Sequence, residues 1–162
     1  MTEKRQSIGI VGAGAFGTAL ACVMADTEAP VKLYGRDPDL MTQMAESRIN
    51  PRLPSVPLPD GVEPVPDEAT LGEHGTVLFV VPSSAQAETA TRLAPYLSAD
   101  AAVVMCAKGL DRETGHTITD ALADRLPGHR LAVLSGPGFA ADIAAGLPTA
   151  MTLASEKQED AD

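Results

Sequence analysis

The residues best suited to chemistry lie near the start of this 162-residue chain. Gly12-Ala13-Gly14-Ala15-Phe16-Gly17 stands between the apolar run Ile8-Gly9-Ile10-Val11 and the Ala-rich continuation Thr18-Ala19-Leu20-Ala21. In a strand-to-helix turn the three glycines have separate uses. Gly12 permits the tight turn, Gly14 lets an anionic group reach the backbone, and Gly17 lets helix and strand pack closely. The helix that follows offers free N–H groups and a partial positive charge at its N-terminus. Glycines at this spacing arise by chance in an Ala- and Gly-rich chain; the strand before and the helix after give them meaning, as a site for the pyrophosphate of NAD or NADP.

Cofactor choice is read at the end of the next strand, where an acidic residue ordinarily accepts the ribose hydroxyls of NAD. Here Val31-Lys32-Leu33-Tyr34 runs into Gly35-Arg36-Asp37, with no carboxylate at the strand end. Arg36 stands where a guanidinium stacks on adenine or pairs with a 2′-phosphate, which favours NADP while admitting NAD. The competing reading makes Arg36 a solvated turn residue and Asp37 the cap of a helix beginning at Pro38.

The elements that must position these groups follow from the apolar pattern. Strands are expected at Ser7–Val11, Val31–Gly35, Val62–Val65, Thr76–Val81, Ala102–Cys106, Leu131–Ser135 and Thr149–Ala154, most of them continuously apolar. Helical spacing recurs between them at Phe16–Asp26, Leu40–Arg48, Ala85–Leu97, His116–Leu126 and Phe139–Ala145. Strand-helix alternation predicts an α/β fold, Rossmann-like and doubly wound, whose mostly parallel sheet carries helices on both faces. Ser83 with Gln86 has capping-box spacing, and Gly146 with Pro148 stops the last helix. Asn50–Pro66 holds six prolines and reads as an extended connection. Residues 1–154 form the expected domain, and 155–162 a polar tail resembling the first turn of a further helix.

Composition narrows the function. With 44% apolar and 21% charged residues the chain is an ordinary globular domain rather than a disordered one. A formal charge of −10 argues against nucleic acid, whose binding needs clustered Lys and Arg. The two cysteines, Cys22 and Cys106, suggest a reducing compartment, and Ile8–Val11 is too short for a signal or membrane segment, so a cytoplasmic protein is expected. His74, His116 and His129 fall on polar segments and read as surface groups, and no cluster has metal-site spacing. Met41, Met44 and Leu40 have the spacing of a core-facing helix stripe.

Three later strand ends add Val80-Val81-Pro82-Ser83, Cys106-Ala107-Lys108-Gly109-Leu110 and Ser135-Gly136-Pro137-Gly138-Phe139-Ala140. Lys108 is a cation leaving a buried strand into a glycine loop. Gly136–Ala140 turns from strand into helix and exposes backbone amides to an anion. Together with Leu53-Pro54, Leu58-Pro59 and Ala145-Gly146-Leu147-Pro148-Thr149-Ala150, these elements resemble the bacterial NAD(P)-dependent glycerol-3-phosphate dehydrogenases over essentially the whole chain.

That resemblance implies reduction of dihydroxyacetone phosphate to sn-glycerol 3-phosphate for phospholipid synthesis, with a homodimer as the expected full-length assembly. It implies that Lys108, Gly136 and Gly138 touch substrate, and that Gly12, Gly14, Ala15, Phe16, Gly17, Arg36, Lys108 and Ala140 contact the cofactor. The general acid, a nearby aspartate and a phosphate-binding arginine belong in the family to a C-terminal helical domain that lies beyond Asp162. Two positions depart from the family pattern: Gly138 and Ala15 stand where Ser or Thr is common, leaving only backbone N–H groups. Two other readings stay open, the first domain of a ketopantoate reductase or β-hydroxyacid dehydrogenase, and a non-catalytic dinucleotide sensor.

Overall fold

The computed structural model describes residues 7–27, 29–111 and 115–157. Seven strands, β1 (Ile8–Val11), β2 (Val31–Tyr34), β3 (Val62–Val65), β4 (Thr76–Phe79), β5 (Ala102–Met105), β6 (Arg130–Ser135) and β7 (Thr152–Ser155), form one sheet in the order 3-2-1-4-5-6-7. The first six are parallel, and β7 runs antiparallel to β6. The order reverses at β1, which lies between β2 and β4; in doubly wound sheets ligands bind at such a switch point.

Strand alternation sorts the core into two layers. Ile10, Leu33, Leu78, Val104 and Ala132 face α1 (Ala15–Ala25) and α2 (Pro38–Ser47), whose Leu20, Met41 and Met44 are buried with them. Val11, Tyr34, Phe79, Val103 and Met105 face the other way, against α3 (Ser83–Leu93) and α4 (Ile118–Ala123). A fifth short helix, α5 (Ala140–Ala144), packs on α1 through Ile143, Ala140 and Ala144. Tyr34 and Phe79 are fully buried, so a strand end at the ligand edge is also a core position.

The sequence expectations for all seven strands and five helices correspond to elements of the structure, with boundary shifts at most of them. Three corrections follow from side-chain bonding and burial. Ser83 does not build a capping box, because Pro82 is the N-cap of α3 and the Gln86 amide donates instead to the carbonyls of Phe79 and Val81, at 3.2 and 2.9 Å. His116–Leu126 contracts to α4, capped by the Thr117 hydroxyl accepting from the Asp120 N–H. His74 is not a surface group: it is 1% exposed, held between the Tyr34 hydroxyl at 2.8 Å and the Ser7 hydroxyl at 2.9 Å. Gly9 makes room for it, since a Cβ there would lie 2.8 Å from its ring.

The proline-rich connection is tightly tied rather than merely extended. Asn50, fully buried, donates to the Ala13 carbonyl at 3.2 Å and the Thr18 hydroxyl at 2.6 Å. Arg48 closes α2 in a left-handed conformation, and its guanidinium donates to the carbonyls of Leu58, Pro59 and Val62. Pro64 sits in β3, an edge strand, where its missing N–H leaves no interior ladder bond unmade. Beyond β3 a 3₁₀ helix, Glu68–Glu73, leads into β4. Residues 158–162, most of the polar tail expected at 155–162, lie outside the described residues.

Candidate functional site

The glycine turn has the geometry its sequence requires. Gly12 adopts φ +121°, and a Cβ there would overlap the Val80 carbonyl; a Cβ at Gly17 would overlap the Gly12 carbonyl. Both positions therefore exclude any side chain. Gly14 differs: its φ is −81°, and a Cβ would meet nothing within 4 Å. It is the N-cap of α1, with no side chain capping the helix and no acidic residue in the first turn. The first-turn N–H groups and the positive end of the helix dipole thus face open space.

That space is a groove of about 390 Å³, within the range of small-molecule sites. Its floor is the switch point, with Val11, Gly12, Ala13 and Gly14 from the turn and Val80, Val81 and Pro82 from the end of β4. One wall is the end of β2, where Gly35, Arg36 and Asp37 stand. Asp37 does cap α2, accepting from the N–H groups of Asp39 and Leu40 at 3.1 and 3.2 Å. Arg36 is exposed and lines the groove. Arg92 from α3 lines it too; burial first, and then the nearby Arg36 charge, lower its pKa from the ordinary guanidinium value.

A second cavity of about 170 Å³ joins residues far apart in sequence: Phe16, Cys106, Lys108, Leu134, Ser135, Gly136, Gly138 and Met151. Lys108 is exposed, and its Nζ donates to the Gly136 carbonyl at 2.9 Å. Gly109 next to it adopts φ +121°, which turns the chain out of the strand end. At Gly136 a Cβ would lie 2.8 Å from the Ala150 carbonyl oxygen, so the close approach of two backbone segments requires glycine. Burial pushes the Cys106 thiol up to about 12, which keeps it protonated and unreactive at neutral pH. Phe16 links the cavity to the glycine turn, because it packs in the same cluster as Ala15 and Ala140.

The structure thus gathers the sequence-derived residues into one edge of the sheet, with Gly12, Gly14 and Arg36 around the groove and Lys108, Gly136 and Gly138 around the smaller cavity. Sequence reasoning missed Asn50, Arg52, Glu68 and Arg92. Arg52 is carried to the groove by the connection that Asn50 ties to the turn, and the Asn50 side chain also accepts from the Arg52 N–H at 2.9 Å. An Asn opening a proline-rich segment was the available signal for the first. Nothing local marks Glu68 or Arg92.

A family model described as NAD-dependent glycerol-3-phosphate dehydrogenase N-terminus matches residues 7–161. A glycerol-3-phosphate dehydrogenase [NAD(P)+] of Rhizobium etli is 48% identical over the whole chain and 49% of its own length. That of Agrobacterium fabrum is 49% identical over 94% of this chain and 47% of its own. The crystal structure of glycerol-3-phosphate dehydrogenase from Coxiella burnetii superposes with a TM-score of 0.88 at 36% identity, covering 96% of this chain and 48% of that one. A ketopantoate reductase from Ralstonia eutropha shares the fold, with a TM-score of 0.65 at 22% identity over 81% of this chain and 41% of that one. The chain spans about half the length of the curated relatives it matches.

Proposed function

This chain belongs to the NAD-dependent glycerol-3-phosphate dehydrogenase N-terminus family, and we propose that it is the cofactor-binding half of an enzyme reducing dihydroxyacetone phosphate to sn-glycerol 3-phosphate with NADPH or NADH. The observation that carries the proposal is the contrast among the three glycines. Gly12 and Gly17 are closed by backbone, whereas Gly14 opens onto the groove with uncapped helix N–H groups behind it. A pyrophosphate fits that cradle chemically, because it needs donors and positive potential without a side chain in its path.

In this reading Gly12, Gly14, Ala15, Phe16 and Gly17 hold the pyrophosphate end, and Arg36 meets the adenosine 2′ position, which favours NADP. Ala140 closes the cofactor turn from α5. The bound cofactor supplies the hydride. Lys108 supplies positive charge to the substrate, and its bond to Gly136 fixes the ammonium where the Gly136–Gly138 backbone lines the same cavity. The proton donor and the phosphate anchor are assigned to the second half present in the relatives, as are the homodimer contacts. The product serves phospholipid synthesis in the cytoplasm.

Calorimetric titration of NADPH and NADH into the 162-residue chain tests this reading, alongside an assay of dihydroxyacetone phosphate reduction. Saturable one-to-one binding with negligible turnover is expected. Absence of binding would refute the cofactor role, and robust turnover would refute the assignment of the proton donor to the second half. Sensing without catalysis is separated by Lys108, since a sensor needs no cation beside the reacting end.

A further inference from the structure

His74 is buried, titratable and unused by the dinucleotide reading, and with Tyr34 it forms the middle of a chain of polar contacts. The Ser7 hydroxyl donates to the Glu73 carbonyl at 3.0 Å and lies 2.9 Å from Nδ1 of His74. Nε2 lies 2.8 Å from the Tyr34 hydroxyl, which lies 2.9 Å from the Thr70 hydroxyl, and Thr70 donates to the Asp67 carbonyl at 3.0 Å. A carbonyl only accepts, and a hydroxyl carries one proton. Ser7 gives its proton to Glu73, so His74 donates from Nδ1, and a neutral ring then offers only an acceptor at Nε2. The five contacts share four protons, one each from Ser7, His74, Tyr34 and Thr70. The chain is one proton short. A proton on Nε2 completes it: Nε2 donates to Tyr34, Tyr34 to Thr70 and Thr70 to Asp67, and every contact is filled.

The chain sits against the switch point. Tyr34 ends β2, its carbonyl accepts from the Gly12 N–H at 2.9 Å, and it lines the groove. Its ring meets the His74 ring edge-on, with centroids 5.7 Å apart. Both side chains are shut off from solvent, so charge in the groove acts on His74 through packed protein with little screening. The charged groups around the ring are Lys32 from β2 and Glu73 from the 3₁₀ helix, which pair with each other at 2.6 Å. Glu63 from β3 acts on Tyr34 and Lys32, and β1 presents only Gly9 to the ring. Burial, and then the Lys32 charge, hold His74 below its ordinary pKa, so the ring is neutral at neutral pH. Resting on the dinucleotide reading given above, we propose that His74 is the proton site of the groove: an anionic dinucleotide seated at Gly14 draws a proton onto Nε2, and the chain to Asp67 accommodates it. By linkage, the protonated chain binds the dinucleotide more tightly. No ligand atom touches His74; it acts through charge and through Tyr34, as a positioning residue.

Calorimetric titration of NADH into the 162-residue chain at about pH 6, in buffers of different ionisation enthalpy, counts the protons taken up per dinucleotide. NADH serves because it lacks the 2′-phosphate, which titrates in this range itself. The wild-type chain should take up ~0.3 proton or more, and its NADH affinity should rise ~2-fold or more from about pH 7.5 to about pH 6. His74→Gln should bring the uptake close to zero and flatten the affinity profile. An NMR titration of the wild-type His74 ring should show its pKa rising when NADH binds. Should His74→Gln fail to fold by circular dichroism, that NMR titration decides. Binding without proton uptake overturns the proposal while leaving the dinucleotide reading intact. Uptake that persists in a folded His74→Gln variant, or that follows His116 or His129 in the NMR titration, overturns the role of His74. Absence of NADH binding overturns both.

Discussion

The Nζ of Lys108, at the end of β5, donates to the carbonyl of Gly136, at the end of β6, at 2.9 Å, bridging two neighbouring strand ends on the ligand edge of the sheet. The bond is exposed, so its loss costs less than ~1 kcal/mol of stability. Its proposed use is electrostatic, in stabilising charge on the reacting substrate. On the proposed function, when this half is joined to the second half of its relatives, Lys108→Met should lower kcat/KM for dihydroxyacetone phosphate by ~10²-fold or more. Steady-state kinetics and a thermal melt check both parts, and unchanged kinetics would remove Lys108 from the site.

Gly12 and Gly17 should be intolerant of any side chain. A Cβ at either overlaps backbone carbonyl oxygen, and Gly12 also holds φ +121°. Gly12→Ala and Gly17→Ala should each lose more than ~2 kcal/mol in urea denaturation, because backbone cannot move aside as a flexible side chain can. A variant with wild-type stability would contradict the turn geometry.

Asn50 should couple the proline-rich connection to the turn. Its amide donates to Ala13 and Thr18, and the Thr18 hydroxyl in turn donates to the Gly14 carbonyl at 2.8 Å. Asn50→Ala leaves a buried carbonyl short of a partner and should cost ~1–3 kcal/mol. Dinucleotide affinity should fall as well, since Arg52 loses its backbone anchor. Equilibrium unfolding together with calorimetry would report the two effects separately.

His74 should make stability fall with acid. Burial, and then the nearby Lys32 charge, lower its pKa from 6.5, against a smaller upward pull from Glu73. The unfolded chain therefore takes up the proton first. The stability present above about pH 6.5 declines as pH drops below the unfolded value and levels off beneath the folded one. Glu73, whose own pKa the Lys32 hydrogen bond lowers, acts in the more acidic carboxylate range. Urea midpoints between pH 7.5 and 5 should show this slope, and His74→Gln should flatten it. A slope of the same size in the variant would assign the effect elsewhere.

What could be read from the sequence was what repeats locally. Short apolar runs and 3.6-residue apolar spacing marked the seven strands and the five α-helices, and strand-helix context made Gly12, Gly14 and Gly17 meaningful. Lys108 and Gly136 came from a family resemblance rather than from spacing. His74 escaped because its neighbours in sequence are polar while its partners, Ser7 and Tyr34, are 67 and 40 residues away. The same holds for Glu68 and Arg92, which meet across 24 residues. Long-range polar pairing leaves no periodic trace. Ser83 and Gln86 failed in the opposite sense, where a local motif was overruled by Gln86 reaching buried carbonyls.

The most direct test of the account is NADPH binding to Gly14→Asp. Asp is among the best N-cap residues, φ at this position is ordinary, and a Cβ here meets nothing within 4 Å, so α1 should keep or gain stability. Its carboxylate would occupy the first-turn N–H groups and place negative charge where the pyrophosphate must lie. Calorimetry should show NADPH affinity reduced by more than ~100-fold, with a melting temperature at or above wild type. A stable Gly14→Asp variant that binds NADPH as tightly as wild type would contradict the claim that this turn is the dinucleotide cradle.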